Sequence, residues 1–194
     1  MDVLTGIFSA FGLSASAGLN AYIPLLSLAL LARFTNLIKL SSPWDTLTSW
    51  WVIGLLAVLL LVEIFADKVP AVNHINDIIQ SFIRPAAGAI AFGAGSGVVS
   101  DMHPVLAMAL GLLVAGSVHT VKSAVVRPAV TATTGGLGST PVSVLEDVIS
   151  TVVSFLSIAI PILVGLLLLV ILALITIWLW KRANRPQPIS GSGR

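Results

Sequence analysis

The chain has 194 residues, of which 57% are hydrophobic and 9% are charged, and its mean hydropathy is +1.04. This composition is typical of an integral membrane protein and leaves no room for a separate soluble domain. The net charge of +2 argues against a nucleic-acid-binding surface, and the absence of cysteine excludes disulfides, thiolate metal sites and thiol catalysis. We expect an all-α membrane bundle of about four to six helical segments over residues 1–183, followed by a disordered tail at 184–194.

The first predicted crossing, residues 3–31, has small and polar residues in its middle. Ser14 and Gly18 have the spacing that lets two helix backbones approach closely. Alternatively, the helix is interrupted near Gly18 and Asn20, and its freed backbone groups line a polar cavity, as in transporters with broken helices. We favour the helix contact and keep the interruption as the alternative.

The second predicted crossing, residues 50–66, begins at a group of tryptophans that marks a membrane interface. Glu63 falls in the last turn of this crossing. Its carboxylate lies either at the level of the lipid head groups, which we favour, or inside the protein against the charges that follow it in the sequence.

Residues 67–84 have the pattern of an amphipathic helix, and Pro70 suits its first turn. His74, Asp77, Ser81 and Arg84 recur every three or four residues, so they share one helical face. This face belongs either to a binding site or to the solvated side of an interfacial helix.

Two short segments rich in glycine and alanine follow, at 85–100 and 104–118. We expect 85–100 to pack inside the protein rather than face lipid along its length. His119, Ser123 and Arg127 then continue at a spacing of four residues, which predicts a second polar row at a membrane edge.

An Arg-Pro pair occurs twice, at Arg84 and at Arg127, and residues 81–89 align with 124–132. Proline at a first helical position would leave the amides of a half-helix free to bind an anion. The pattern predicts broken or re-entrant Gly-rich helices related by a weak internal repeat. The repeat is inverted if the two pairs enter the membrane from opposite sides.

Residues 131–141 are rich in glycine and threonine, which predicts a loop or a re-entrant element. Ser143 and Glu146 have the spacing of a capping box, and Asp147 adds to a negative first turn of the last helix. Pro161 offers a break within that helix.

Residues 158–180 form the surest predicted crossing because they are almost free of polar groups. The tryptophans and basic residues that follow predict a cytoplasmic C-terminus in a multi-pass protein of the cell membrane. Five spans result if 85–100 crosses, with the N-terminus outside. Four spans result if both Gly-rich tracts are re-entrant, with both ends inside.

Three short motifs occur in order along the chain: GLNAYIPLL, then DKVP with a downstream Arg-Pro-x-x-Gly, then His-x-x-Lys with a later Glu-Asp. In this combination the chain resembles a bacterial membrane family known as domain of unknown function 4126. The likeness covers residues 12–147, and no activity comes with the family name. The residues that match the family pattern are Asn20, Asp67, Lys68, Pro70, Asp77, Arg84, Pro85, Gly88, His119, Lys122, Arg127, Glu146 and Asp147.

Polar residues beside such apolar segments predict a binding site, since buried charges near lipid are costly. We interpret the chain as a small transporter or channel for an anion or an anionic head group. Membrane lipid, a small ion and a second copy in a homodimer are the expected partners, and no nucleic acid is expected. The candidate binding residues are Asn20, Asp67, Lys68, Asp77, Arg84, His119, Lys122, Arg127, Glu146 and Asp147.

Two other functions remain open. A membrane enzyme or binding protein could hold a lipid phosphate and move a proton with Arg84, Lys122, Arg127 and His119. A structural scaffold could use the same charges as ion pairs between helices. We expect no cofactor and no metal site, because the histidines occur singly. A hydrolase is not expected either, because the sequence has no GxSxG nucleophile motif.

The two arginines are expected to lie on opposite sides of the membrane or to converge on one cavity, each with an acidic partner. Asp77 is the predicted partner of Arg84, because residues seven apart share a helical face. Glu146 or Asp147 is the predicted partner of Arg127.

Overall fold

The computed structural model describes residues 3–68, 70–96, 102–135 and 138–184 of the chain. This part of the chain contains helices and short connections but no strand, which confirms the predicted all-α class. Its α-helices are α1 (Val3–Leu19), α2 (Tyr22–Phe34), α3 (Trp50–Lys68), α4 (Pro70–Ser96), α5 (Pro104–Val121), α6 (Arg127–Thr134), α7 (Ser139–Ala159) and α8 (Pro161–Ala183). A 3₁₀ helix (Trp44–Thr48) precedes α3, and a π-helical turn (Lys122–Val126) joins α5 to α6.

Among the described residues, four helical segments are long and apolar enough to cross a membrane. The chain is therefore an all-α membrane bundle, as its composition predicted. The four segments are Trp50–Asp67, Pro104–Thr134, Ser139–Ala159 and Pro161–Arg182. The expected first crossing is instead divided into two shorter apolar helices, α1 and α2.

Helix α1 is the centre of the bundle and packs against α2, α4, α5, α7 and α8. Small residues permit these approaches: a methyl group added at Gly18 would lie 2.6 Å from the carbonyl oxygen of Ala115 in α5. Ser14 Oγ donates a hydrogen bond to the carbonyl of Gly111, also in α5, over 2.8 Å. The predicted helix contact through Ser14 and Gly18 is confirmed.

The interruption near Asn20, one part of the alternative for this segment, is also observed, because the chain leaves the helix between α1 and α2. The side-chain oxygen of Asn20 accepts the backbone N–H groups of Tyr22 and Ile23, each over 3.1 Å. These donors belong to the first turn of α2, so Asn20 caps that helix. On the other side of the break, the Leu19 carbonyl accepts a hydrogen bond from Lys122 Nζ over 3.0 Å.

Helices α4 and α5 approach through glycine on both sides. A methyl group at Gly88 would overlap Ala115 and lie 2.9 Å from the carbonyl oxygen of Gly111.

Gly93 of α4 lies against the indole of Trp44, from which an added methyl carbon would be 2.5 Å away. Over 87–96, where nearly every residue is buried, the predicted internal packing is confirmed; 97–100 lie outside the described residues.

The predicted helix starts at the two Arg-Pro pairs are wrong. Pro85 lies in the interior of α4, which runs without interruption from Pro70 to Ser96. Pro128 lies within a helical path that continues from Pro104 through the π turn to Thr134. A proline in a helix interior removes only one backbone hydrogen bond, and membrane helices tolerate this loss when neighbouring groups compensate.

The polar segment after α6 is shorter than predicted. Thr131 to Thr134 continue the helix, and the chain turns at Gly135, whose φ of 62° is left-handed. Helix α7 begins at Ser139, so Ser143 and the acids after it lie inside the helix and do not cap it. The expected break before Pro161 is confirmed, since α7 ends at Ala159.

A buried charge cluster

Within the described part of the chain, six charged side chains meet inside the bundle, and we call them the buried charge cluster. Two come from the end of α3 and one each from α4, the π turn, α6 and α7. Its members are Glu63, Asp67, Arg84, Lys122, Arg127 and Glu146.

Arg84 is the most enclosed member, with 0% of its side chain exposed. Its Nη2 donates to Glu63 Oε1 over 2.9 Å and lies 3.5 Å from Asp67 Oδ2. Glu63 is itself only 1% exposed. The preferred placement of Glu63 at the head-group level is therefore wrong, because α3 turns this face toward α4 and the guanidinium of Arg84 provides the partner.

Asp67 receives donors from three other helices. Asn76 Nδ2 in α4 donates to Oδ1 over 2.6 Å. Around Oδ2 lie Arg127 Nη2 at 3.4 Å, Arg84 Nη2 at 3.5 Å and Ser143 Oγ at 3.5 Å. The carboxylate of Asp67 thus occupies the point on which both arginines converge, and it is the feature around which the site is built.

Lys122 forms a second ion pair next to the first. Its Nζ lies 2.7 Å from Glu146 Oε2 of α7 and also donates to the Leu19 carbonyl at the end of α1. The neighbouring Asp147 accepts a hydrogen bond from Asn20 Nδ2 over 2.9 Å. The break between α1 and α2 is therefore held by polar contacts to α7 and the π turn.

The π turn determines which side chains reach the cluster. In an uninterrupted α-helix, residues five apart lie about 140° apart around the axis. The π turn over Lys122–Val126 places one more residue in a turn, with the Arg127 N–H bonded to the Lys122 carbonyl. This insertion brings Lys122 and Arg127 toward the same side, where both meet acidic partners.

His119 connects the cluster to the outside of the bundle. Its Nδ1 lies 3.4 Å from Arg84 Nη1, and its Nε2 lies 3.2 Å from Ser81 Oγ. A guanidinium can only donate, so Nδ1 is the acceptor in that contact. The hydrogen of the neutral ring is then on Nε2 and points toward Ser81. Protonation of Nδ1 would remove this contact and place two positive groups against each other.

The cluster contains the cations Arg84, Lys122 and Arg127 and the carboxylates of Glu63, Asp67 and Glu146. Over these six described side chains, the formal charges therefore balance in this state. Burying ions costs several kcal/mol each unless they are paired and hydrogen-bonded, so this balance is what makes the burial tolerable.

Not every polar atom in this region is satisfied. Among the described residues, Arg84 Nε, Glu63 Oε2 and, one turn before Arg84, Gln80 Oε1 are buried without a hydrogen-bond partner. An unsatisfied buried polar atom costs about 1–3 kcal/mol. These atoms can accept or donate further hydrogen bonds, to water or to a ligand.

The structure brings most of the predicted site residues together. Arg84, Arg127, Asp67, Lys122 and Glu146 form the cluster, and His119, Asn20 and Asp147 lie beside it. The side chains of Lys68 and Asp77 lie outside the described part.

The described ion pairs of the two arginines are with acids of α3: Arg84 contacts Glu63 and Asp67, and Arg127 contacts Asp67. The general expectation that each arginine has an acidic partner is confirmed. Glu146 contacts Lys122, and Asp147 accepts from Asn20. The predicted pairing of Arg84 with Asp77 falls on a side chain outside the described part, and the pairing of Arg127 with Glu146 or Asp147 stays a prediction.

The sequence did not single out Asn76 and Ser143 as site residues, and it undervalued Glu63. A signal for Asn76 exists: Asn76, Gln80 and Arg84 are spaced by four residues and are all buried in α4. Ser143 and Glu63 offer no such signal, since their burial depends on which faces of α7 and α3 meet the cluster. Over the described residues, no group of three or more His, Asp or Glu side chains is arranged to hold a metal ion.

The family model for the domain of unknown function (DUF4126) matches residues 7–182, a range that contains every residue of the cluster. No curated protein and no solved structure matches the chain. Because the family model covers most of the sequence, the chain belongs to the DUF4126 family.

Proposed function

We propose that the protein is a small transporter or channel for an anion or an anionic head group, which binds where Arg84 and Arg127 converge. The observation that carries this proposal is the environment of Asp67. Its carboxylate has two guanidinium groups, an amide and a hydroxyl around it, donated by α4, α6 and α7. This set of donors is suited to any small oxyanion, and the carboxylate of Asp67 is the anion that fills it in this state.

The charge balance favours exchange over permanent binding. While Asp67 occupies the position, the cluster is neutral and needs no ligand. An entering anion would compete with Asp67 for the guanidinium groups and would leave the buried carboxylate without its partners. Proton uptake by Asp67 or by Glu63 would offset this change, so we propose that anion and proton enter together.

The permanent charge of arginine supports an anion rather than a cation as the substrate. Arg84 and Arg127 do not lose their protons in proteins, whereas the carboxylates around them can be neutralised. Protonation of the acids therefore makes the cluster positive, and it becomes an attractive site for negative charge. A cation would have to displace two arginines that cannot be neutralised.

The alternatives have less support. A lipid-phosphate enzyme would need a free general base, whereas the Nδ1 of His119 faces Arg84. A scaffold would use the ion pairs only to join helices, and it gives no reason for the unpartnered Arg84 Nε and Glu63 Oε2.

Flux measurements on purified protein in lipid vesicles test the proposal. Inorganic phosphate, sulfate, chloride and octyl phosphate serve as trial anions, with and without a pH gradient. Flux is compared only among variants whose far-ultraviolet circular dichroism matches that of the wild type, because loss of Arg84 also destabilises the bundle. We expect Arg84→Gln and Arg127→Gln each to reduce the flux of the transported anion to the level of empty vesicles, while the lysine variants recover part of it. The matched control is Arg182→Gln, because Arg182 lies at the exposed end of α8. Normal flux in both glutamine variants would overturn the proposal.

We further propose that the protein is a homodimer in the cell membrane with its C-terminus in the cytoplasm. The small size of the chain and its several glycine- and alanine-rich helix faces support the dimer, because small residues let helices of two copies approach closely. Lysine and arginine in the last turn of α8, beside Trp178 and Trp180, support the orientation. Native mass spectrometry from mild detergent should show dimers, and monomers alone at every concentration would contradict this.

A further inference from the structure

A groove opens on the outer side of the bundle between α4 and α5, and it is separate from the interior of the charge cluster. Its volume is about 560 Å³, which lies within the range of small-molecule sites in proteins. Ser81 and Pro85 form one side of the groove, and a longer stretch of α5 that includes Gly116 forms the other.

The groove exists because a side chain is missing at Gly116. An added methyl carbon there would have only Pro85 nearby, 3.7 Å from its Cγ. This differs from Gly88 and Gly111, where an added methyl would overlap the neighbouring helix. Gly116 therefore leaves space, whereas the other two glycines permit contact.

The walls of the groove suit a hydrocarbon chain. Leu112, Leu113 and Val121 line it and are exposed, in a segment apolar enough to cross a membrane. Ser117 and Thr120 also line it, but their hydroxyl hydrogens are donated to carbonyls of their own helix, over 2.7 and 2.8 Å. These walls consequently offer few donors to a polar ligand.

One point in the groove is polar and leads inward. The His119 side chain lines the groove and is buried, and it contacts Ser81 on one side and Arg84 on the other. A ligand in the groove is therefore separated from the guanidinium of Arg84 by a single imidazole. The guanidinium of Arg84, paired with Glu63 and Asp67, lies behind this imidazole, while the apolar walls extend away from it along α5.

From this arrangement we infer that the groove is a lateral binding site for an amphiphilic anion, whose hydrocarbon chain lies along α5 and whose charged head group reaches His119. The inference rests on the proposed function and specifies its substrate as an amphiphile that enters from the membrane. Lipid tails are as apolar as leucine, so the chain alone gives no preference for the groove over bulk lipid. Selectivity must come from the head group and from the shape that Gly116 leaves.

The test uses a long-chain alkyl phosphate that carries a photoreactive diazirine on its chain, and the corresponding uncharged alcohol as its partner. Protein in phosphatidylcholine vesicles is labelled with each compound, and the labelled residues are identified by peptide mass spectrometry. Gly116→Leu fills the groove and should be accommodated, because no described atom lies closer than Pro85. The matched control is Gly54→Leu, since Gly54 lies in α3 and has nothing within 4 Å.

We expect the alkyl phosphate to label Leu112, Leu113 or Val121 more strongly than the lipid-exposed face of α7, and the alcohol to show no such preference. Gly116→Leu should reduce this labelling about tenfold, whereas Gly54→Leu should leave it unchanged. Equal labelling of the α5 and α7 faces, equal labelling by the alcohol, or labelling that Gly116→Leu does not change would overturn the inference.

The two hypotheses fail differently. If the groove is not labelled but flux of inorganic phosphate or sulfate depends on Arg84 and Arg127, the transport proposal stands and the amphiphile inference is wrong. If the groove is labelled but both arginine variants transport normally, the groove is a lipid-binding site and the transport proposal is wrong.

Discussion

Replacement of Arg84 by glutamine should destabilise the protein more than any other single substitution in the cluster. Arg84 Nη2 provides the hydrogen bond to Glu63 Oε1, and Glu63 Oε2 already has no partner. Glutamine removes the positive charge while both carboxylates stay buried. Asp67 keeps Arg127 and Asn76, so Glu63 is the group that loses its compensation.

The expected cost follows from burial. Removal of one partner from a buried ion pair costs about 3–5 kcal/mol, and the 0% exposure of Arg84 places it in this class. Arg127→Gln should cost less, about 1–2 kcal/mol, because Arg127 is 16% exposed and its partner Asp67 keeps Arg84. The second substitution Glu63→Gln removes the uncompensated charge, so the double variant should recover about 1–3 kcal/mol of the loss.

The assay is unfolding by sodium dodecyl sulfate in mixed micelles, followed by far-ultraviolet circular dichroism. The exposed Arg182→Gln serves as the control and should stay within about 0.5 kcal/mol of the wild type. An Arg84→Gln variant as stable as this control would refute the reasoning. So would a double variant whose loss equals the sum of the two single losses.

Three further substitutions test the contacts that hold the site in place. Gly88→Val should destabilise the bundle by about 1–3 kcal/mol, because the valine side chain would overlap Ala115 of α5. A variant as stable as the wild type in the same assay would contradict the close approach of α4 and α5. Asn20→Ala should cost about 1 kcal/mol by removing the cap of α2, and amide exchange should rise at the start of that helix and not in α8. Ser16→Ala should lower the free energy of unfolding by about 0.6 kcal/mol, since it removes the hydrogen bond that Ser16 Oγ donates to the Ser150 carbonyl over 2.8 Å. A loss above about 2 kcal/mol would mean that this contact has another role.

The sequence predicted the fold class and the residues of the site better than it predicted how they are arranged. Long apolar segments and a first-turn proline are recognisable from the local sequence, so the bundle and the helix start at Pro70 could be predicted. The placement of Glu63 could not, because a carboxylate in the last turn of a crossing has the same local pattern whether it faces lipid head groups or an arginine. Only the packing of α3 on α4 distinguishes these cases.

The two Arg-Pro pairs show a second limit. Proline after arginine suits a helix start, and the same dipeptide is tolerated inside a membrane helix that other helices support. The local sequence does not mark the π turn before Arg127, yet this turn brings Lys122 and Arg127 to one side. The residues were therefore predictable from their chemistry, and their convergence on Asp67 required the three-dimensional structure.

The most direct test of the central claim removes the carboxylate of Asp67 and offers another anion in its place. In Asp67→Ala the guanidinium groups of Arg84 and Arg127 lose the acid that they share. Thermal unfolding in detergent is measured with increasing acetate or inorganic phosphate at constant ionic strength. We expect Asp67→Ala to unfold at a lower temperature than the wild type and either anion to raise that temperature again. A ligand that binds only the folded state stabilises it in this way. If acetate and phosphate both stabilise Asp67→Ala no more than they stabilise the wild type, this result contradicts an anion site at this position.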